Sequence, residues 1–134
     1  MAGVSNFNPE QIRKAQDILG GRLVSVQNEF SPRFQSSRAE LDLCTAMGIA
    51  FLPWSPLNGA GKVSDLGSDH SAFAEVGQAH GVSPQQVTLA WMLSLSPVVI
   101  PIPGSSRPET IIDSARAADL TLTDEELTRL SAAV

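Results

Sequence analysis

Short apolar segments alternate with amphipathic helical segments along the chain, and this alternation predicts an α/β fold built from parallel βα units. Capping residues and prolines mark the helix starts, and runs rich in β-branched residues lie between the helices. The predicted strands are apolar on both faces, as expected when helices cover a sheet completely. No linker, repeat or low-complexity segment interrupts the 134 residues, so we expect one domain over residues 1–134.

The first elements are a strand end and a helix. Residues 3–7 look like the last part of a strand. Asn8 is a predicted N-cap, and Pro9 suits the first helical position. The helix is expected to stop at the glycines 20–21. Its predicted apolar face consists of Ile12, Ala15, Ile18 and Leu19.

The next βα unit follows directly. Residues 23–28 form a β-rich run that ends in polar side chains, and residues 37–47 form the second predicted helix. Residues 49–52 are a second strand, which the Pro-Trp-Ser-Pro segment 53–56 ends. On the helix, Leu41, Cys44 and Met47 share one side.

The second half contains a loop, four predicted helices and one more strand. The loop runs from Asn58 to about Asp69, and Gly81 separates the two helices that follow it. Ser-Pro-Gln-Gln at 83–86 and Thr-Asp-Glu-Glu at 123–126 are predicted capping boxes. The predicted buried side of the helix after Ser83 is Val87, Leu89, Ala90, Leu93 and Leu95. Residues 98–102 are a third strand, and residues 103–106 turn into a helix opened by Pro108.

Composition and charge exclude several classes of function. The net charge is -5, with 9 Lys and Arg against 14 Asp and Glu, so nucleic acid is not an expected partner. No apolar run approaches the roughly 20 residues that cross a bilayer, and no signal peptide is recognised, so neither a membrane nor secretion is expected. The single cysteine, Cys44, excludes an internal disulfide and fits a reducing compartment. The expected location is the cytoplasm, with Cys44 an inert core thiol.

Candidate site residues follow the predicted strands, because working residues of parallel α/β folds gather at the strands' carboxyl ends. Trp54 offers a flat ring for stacking on a heterocycle, and the amides of Asn6 and Gln27 could pair with a carboxamide. Residues 104–107, Gly-Ser-Ser-Arg, precede a helix and offer N–H groups, hydroxyls and a guanidinium for phosphate. These features together indicate a nucleotide.

Each feature also has a structural interpretation. Trp54 could pack at the rim of the sheet, and Gln27 could satisfy a buried backbone group. Residues 104–107 could be only a turn with a helix cap, and Arg107 could be paired with Glu109. From the residues alone, the prediction is an α/β domain with a possible nucleotide site.

Five segments, taken in order, resemble the C-terminal half of an aldo-keto reductase. They are Gly3–Phe7, Val26–Phe30, Trp54–Leu57, Ser83–Trp91 and Ile100–Glu109. The resemblance implies a partial (β/α)8 barrel, about strands 5 or 6 to 8 with their helices, and NADP(H) as cofactor. That family reduces aldehydes and ketones with NADPH.

The resemblance also implies roles for individual residues. Ser5, Asn6 and Gln27 match positions that hold the nicotinamide carboxamide, and Trp54 matches the aromatic residue that stacks on the nicotinamide. The residues that match the family's pyrophosphate loop are Ser55, Leu57 and Gly59. The residues that match the segment near the adenosine 2′-phosphate are Gly104, Ser105 and Arg107, and the positions of further adenosine contacts are Thr110 and Asp113. Ser114 stands where the family usually has Asn.

The family's catalytic Asp, Tyr, Lys and His lie on strands that the resemblance does not cover, and this sequence holds no tyrosine. The expected function is therefore an NADP(H)-binding half of an oxidoreductase that does not reduce carbonyls alone. The alternative is a non-catalytic dimerising half-barrel or a truncated gene product without activity.

An open half-barrel would expose apolar side chains on its uncovered face. The residues expected there are Val24, Val26, Phe51, Val99 and Ile100. Because burying one such side chain is worth roughly 1.5–3 kcal/mol, we expect the chain to associate with itself, most simply as a homodimer. A separate chain that supplies the missing half of the barrel is the other expected partner.

Overall fold

A parallel sheet of three strands, in the order β1-β2-β3, lies at the centre of the protein. The structure is a computed structural model that describes residues 1–58 and 71–134. The predicted loop beyond Asn58, with the candidate Gly59, lies outside the described residues. The strands are β1 (Ala2–Ser5), β2 (Leu23–Gln27) and β3 (Ala50–Phe51).

Six described helices connect or follow the strands, numbered here in chain order. They are α1 (Pro9–Ile18), α2 (Arg38–Met47), α3 (Ser71–His80), α4 (Pro84–Leu95), α5 (Pro108–Ala115) and α6 (Asp124–Ala132). A 3-10 turn, Arg116–Asp119, follows α5. None of the helices in the described ranges is long and apolar enough to cross a membrane.

The predicted helix caps are present, since local hydrogen bonds determine them. Asn8 and Gln11 form a reciprocal capping box at the start of α1, and Thr123 and Glu126 form another at α6. The Ser83 hydroxyl accepts the backbone N–H of Gln86 at 3.0 Å and caps α4. The capping box predicted at 83–86 lacks its reciprocal bond, since the Gln86 side chain reaches the Arg116 carbonyl at 3.4 Å.

Residues 98–102 lie beside β3 in parallel but do not form the regular third strand that the sequence predicts. Phe51 donates to the carbonyl of Val98 and accepts the N–H of Ile100, each at 2.9 Å. The Ile102 N–H donates to the Pro53 carbonyl at 3.1 Å, but Pro53 has no N–H to donate to Ile100, so the pairing amounts to an isolated bridge.

The two faces of the sheet differ in chemistry. Val26, Phe51 and Val99 lie side by side across the strands, and all are buried, at most 4% exposed. The expectation that these three are exposed is wrong, because they belong to the face that the helices cover. Val24 and Ile100 are exposed, at 42% and 54%.

The uncovered face carries small and polar residues instead. Gly3, Ser25 and Ala50 are partners in adjacent strands, and so are Ser5 and Gln27. A methyl group on Gly3 would meet the Ser25 hydroxyl at 2.4 Å, so an alanine there would force that hydroxyl to move. The sheet is therefore apolar on one face only, which corrects the prediction of two apolar faces.

An aromatic cluster joins the sheet to the helices. Phe30 contacts Phe51 edge-on at 6.1 Å between ring centroids and stacks on Trp91 of α4 at 6.4 Å. Phe73 of α3 meets Trp91 edge-on at 5.7 Å. The buried indole N–H of Trp91 donates to the Ser131 hydroxyl at 3.0 Å, which satisfies its only donor.

Two positions predicted to be buried face solvent. Ile18 at the end of α1 is 73% exposed, and Leu93 on α4 is 37% exposed. On α1 the other predicted residues, Ile12, Ala15 and Leu19, belong to the main core or pack against it. On α4 residues 86–92 are all buried, so this helix is covered over a wider face than the predicted stripe.

Helices α3 and α6 are joined by a hydrogen bond and an ion pair. His80 Nε2 lies 2.7 Å from Glu126 Oε1, and Glu75 pairs with Arg129. The Glu126 pKa is lowered, first because its carboxylate accepts the Thr123 N–H and then because it accepts a hydrogen bond from His80. His80 thus pairs with a neighbouring helix, in addition to lying where a cation complements the dipole of α3.

Glu126→Gln should reduce the acid sensitivity of the protein. A carboxylate with a lowered folded-state pKa contributes stability above its usual value of 4.5, and this contribution is lost as pH falls through the folded pKa. We expect the melting temperature of the wild type to fall more between pH 7 and pH 3 than that of Glu126→Gln, measured by circular dichroism. Glu125→Gln, an exposed neighbour, is the control and should behave as wild type. Identical slopes for wild type and Glu126→Gln would contradict this role.

Candidate functional site

The loops after β1 and β2 are held together at the carboxyl edge of the sheet. Ser5 and Gln27 are register partners. The Ser5 hydroxyl donates to the Gln27 carbonyl at 2.8 Å, and the Asn6 N–H donates to the same oxygen at 3.0 Å. The sequence predicts that Ser5, Asn6 and Gln27 share a site, and the structure brings them together.

Trp54 joins this group from the loop after β3. Its backbone N–H donates to the carbonyl of Asn28, and its indole Nε1–H donates to the Asn6 Oδ1, each at 3.0 Å. Asn6 has a φ of 57°, a left-handed conformation that asparagine tolerates better than most residues. Ser5, Asn6, Gln27 and Trp54 are called the edge cluster below.

The edge cluster keeps hydrogen-bonding capacity for a ligand. Asn6 uses its Oδ1 for the indole, so its Nδ2 is the donor that remains. The Gln27 side chain has no hydrogen-bond partner in the described part of the chain, so it does not satisfy a buried backbone group there. Trp54 is half-buried, and part of its ring is accessible. Two amide side chains and an aromatic ring thus lie side by side.

A second group of predicted residues lines a cavity of about 310 Å³ between the loop after β3 and α5. The predicted residues in its lining are Leu57, Arg107, Thr110 and Asp113. Gln85, Glu109 and Ser114 complete its lining. This space is called the α5 cavity below.

The charged groups of the α5 cavity are held by defined contacts. Asp113 accepts a hydrogen bond from the Ser83 hydroxyl at 2.5 Å, which ties α5 to the N-cap of α4. Arg107 Nε lies 3.6 Å from Glu109 Oε1, and both side chains are mostly exposed, so this pair is weak and open to competition from an anion. The alternative that Arg107 is paired with Glu109 is therefore correct, and the pairing leaves most of the guanidinium free.

Gly104 and Ser105 lie on the exposed turn before α5 and do not line the cavity. The Ser105 hydroxyl accepts the Arg107 N–H at 3.2 Å and donates to the Arg107 carbonyl at 2.8 Å. This hydroxyl is therefore used in the turn itself. A Cβ atom added at Gly104 would meet no other atom within 4 Å, so the backbone there is open to close approach by a ligand.

The loop of residues 54–58 connects the two groups. Trp54 belongs to the edge cluster, and Leu57 is buried in the wall of the α5 cavity. Ser55 has a φ of 50° and accepts the Asn58 N–H at 3.1 Å, so it shapes the turn between them. A ligand longer than one ring system could contact both groups.

Sequence reasoning missed two buried polar residues close to the edge cluster, Asn28 and Glu40. One sequence signal could have indicated that Glu40 is buried. It lies one helical turn before the apolar Cys44, on the same side of α2. Burial, followed by the Glu40 charge, raises the pKa of the Cys44 thiol to about 11, which fits an unreactive core cysteine.

The described residues contain no group of three or more His, Cys, Asp or Glu side chains able to hold a metal ion. The side chains described at the edge cluster and the α5 cavity include amides, an aromatic ring, one guanidinium and carboxylates. This combination suits recognition of an extended polar molecule with at least one flat ring and a negative charge.

Comparison with known proteins identifies the family. The chain is 34% identical over 128 residues to pyridoxine 4-dehydrogenase of Escherichia coli, and 35% identical over 130 residues to an aldo-keto reductase of a Mycobacterium species. Each alignment covers 96% of this chain but only 42% and 43% of the relative. The chain thus spans less than half the length of these curated relatives.

A solved structure shows the same fold. An aldo/keto reductase of Klebsiella pneumoniae, crystallised with NADP and acetate, superimposes with a TM-score of 0.85 at 26% identity. The match covers 97% of this chain and 46% of the other. The protein therefore has the fold of part of an α/β barrel, with an open sheet in place of a closed one. The family model described as the aldo/keto reductase family matches residues 1–134, and the chain belongs to that family.

Proposed function

We propose that this chain is the NADP(H)-binding half of an aldo-keto-reductase-type oxidoreductase. The observation that carries the proposal is the convergence of Asn6, Gln27 and Trp54 at one edge of the sheet, joined by one loop to a cavity containing Arg107. The Klebsiella neighbour, crystallised with NADP, supports the choice of cofactor.

The edge cluster would orient the nicotinamide. The Trp54 ring is held by its bond to Asn6, so a stacked nicotinamide would find a platform that is already positioned. Asn6 Nδ2 and the Gln27 amide would pair with the carboxamide and fix the rotation of the ring. NADPH, when bound, supplies a hydride for carbonyl reduction.

The α5 cavity would hold the adenosine end. The Arg107 guanidinium can replace its exposed pairing with Glu109 by stronger hydrogen bonds to a phosphate. Asp113, fixed by Ser83, can accept hydrogen bonds from ribose hydroxyls or an amino group. Thr110 adds a hydroxyl in the same wall.

Carbonyl reduction also needs a proton donor. The family's acid is a tyrosine, and these 134 residues contain none. We therefore assign cofactor binding to this chain, and assign the acid to residues that the 134 do not include.

We also propose that a second copy of this chain covers an open edge of the sheet. The sheet has two edges, β1 and the segment 98–102, and neither pairs with a further strand in the described residues. Apolar surface is exposed at the second edge by Ile100 and Ile111. Sedimentation equilibrium should give a concentration-dependent mass above the 14.2 kDa of one chain. A monomer at all concentrations would contradict self-association and favour a different chain as the partner.

Trp54→Ala should weaken NADPH binding by about 10-fold or more, since aromatic stacking on a heterocycle is worth about 1–3 kcal/mol. Isothermal titration calorimetry measures the change directly. Trp54→Phe keeps a ring and should retain most of the affinity, although it loses the bond to Asn6. Equal NADPH affinity in wild type and Trp54→Ala would mean that Trp54 only packs at the rim.

Arg107→Gln should lower NADPH affinity by about 10-fold while leaving NADH affinity nearly unchanged, because only NADPH carries the 2′-phosphate. The same calorimetric titration with both dinucleotides separates the two effects. Arg13→Gln, an exposed change on α1, is the control for loss of positive charge. An equal loss for NADPH and NADH would place the 2′-phosphate away from Arg107.

A further inference from the structure

Ser83 lies where α4 begins, and its hydroxyl contacts the wall of the α5 cavity although the residue is outside the cavity lining. Pro84 follows it, and a residue before proline is restricted to extended backbone conformations. Ser83 accordingly has a φ of -72° and a ψ of 151°, the conformation of an N-cap residue. The local sequence therefore fixes the backbone from which this hydroxyl projects.

The Ser83 hydroxyl makes two hydrogen bonds, one on each side. Its oxygen accepts the Gln86 N–H at 3.0 Å, which caps α4. A hydroxyl has one proton to donate, and that of Ser83 goes to Asp113 Oδ2 at 2.5 Å. This short distance is typical of a charge-assisted hydrogen bond, which is stronger than one between neutral groups. Ser83 thus connects the backbone of α4 to a carboxylate on α5.

Asp113 depends on this bond for its orientation. Within the described ranges it has no ion pair and no second hydrogen bond. It lies in the last turn of α5, where a carboxylate is unfavourable next to the negative end of the helix dipole, so its position does not stabilise its own helix. Because Oδ2 is used by Ser83, Oδ1 is the acceptor that remains for a ligand in the α5 cavity.

We propose that Ser83 is a positioning residue for Asp113, and that its hydroxyl holds the carboxylate in the orientation that presents Oδ1 to the adenosine end of the dinucleotide. This inference rests on the proposed function, which assigns the adenosine end to the α5 cavity. Without the hydroxyl, binding has to order the Asp113 side chain, and the entropy lost in ordering it lowers the affinity. Ser83 itself lies outside the cavity lining, so its effect is transmitted through Asp113.

The test measures the affinity of the full chain for adenosine 2′,5′-bisphosphate, the adenosine end alone, by isothermal titration calorimetry. Ser83→Gly removes the hydroxyl at little cost to the cap, because glycine is tolerated at an N-cap, whereas Ser83→Ala removes both the hydroxyl and the cap. Both variants should bind the bisphosphate about 2- to 10-fold more weakly than wild type. Their losses of affinity should be equal, although Ser83→Ala melts at the lower temperature.

Three further variants separate positioning from capping. Ser83→Thr keeps a hydroxyl and a cap, and should restore the affinity of the wild type. Thr123→Ala removes the cap of α6, outside the α5 cavity, and should lower the melting temperature without changing the affinity. In an Asp113→Ala background, Ser83→Gly should cause no further loss of affinity, because the group that Ser83 positions is gone.

Equal affinity for the bisphosphate in wild type and Ser83→Gly would overturn the positioning role and leave Ser83 as a helix cap only. The same conclusion would follow if the loss caused by Ser83→Gly persisted in the Asp113→Ala background. A wild-type chain that does not bind the bisphosphate would contradict the proposed function, and the positioning role with it. That failure is distinguishable from the first two because it is seen before any residue is changed.

Discussion

The burial of one face of a short parallel sheet determines how the rest of the structure is arranged. Val26, Phe51 and Val99 align across the sheet and pack under the helices, and Phe30 and Trp91 extend this core towards α3 and α4. Because this row of three buried side chains fixes the register of the strands, the strands end at a common edge of the sheet. Every loop that leaves that edge is then restricted to a small region, which is why residues distant in sequence meet there.

The edge is held by polar contacts that also shape the site. The Gln27 carbonyl accepts from both Ser5 and Asn6, and Trp54 reaches back to Asn6. These bonds position the candidate ligand groups before any ligand arrives. Preorganisation of this kind lowers the ordering cost of binding, and it leaves Asn6 Nδ2 and the Gln27 amide available as donors. The loop that carries Trp54 then runs to Leu57 in the α5 cavity, so one short loop joins the edge cluster to that cavity.

The sequence predicted features with local causes and missed those that depend on distant contacts. The caps at Asn8 and Thr123 were predictable because their partners lie three residues away. The meeting of Asn6, Gln27 and Trp54 was predictable from the strand ends. The inequality of the sheet faces was missed, although Gly3, Ser25 and Ala50 each precede an apolar residue of the covered face. Asn28 and Glu40 were missed as a pair, because only the packing of α2 against the loop brings them to one cavity.

The most direct test of the account is to map NADPH on the isotopically labelled chain by ¹H–¹⁵N correlation spectroscopy. If NADPH occupies one extended site, the Trp54 indole, the Asn6 and Gln27 side-chain amides, and the Arg107 and Thr110 backbone amides shift together, with one dissociation constant. Shifts confined to either the edge cluster or the α5 cavity, or no saturable shifts at millimolar NADPH, would contradict the claim that the open half-barrel holds one extended dinucleotide site.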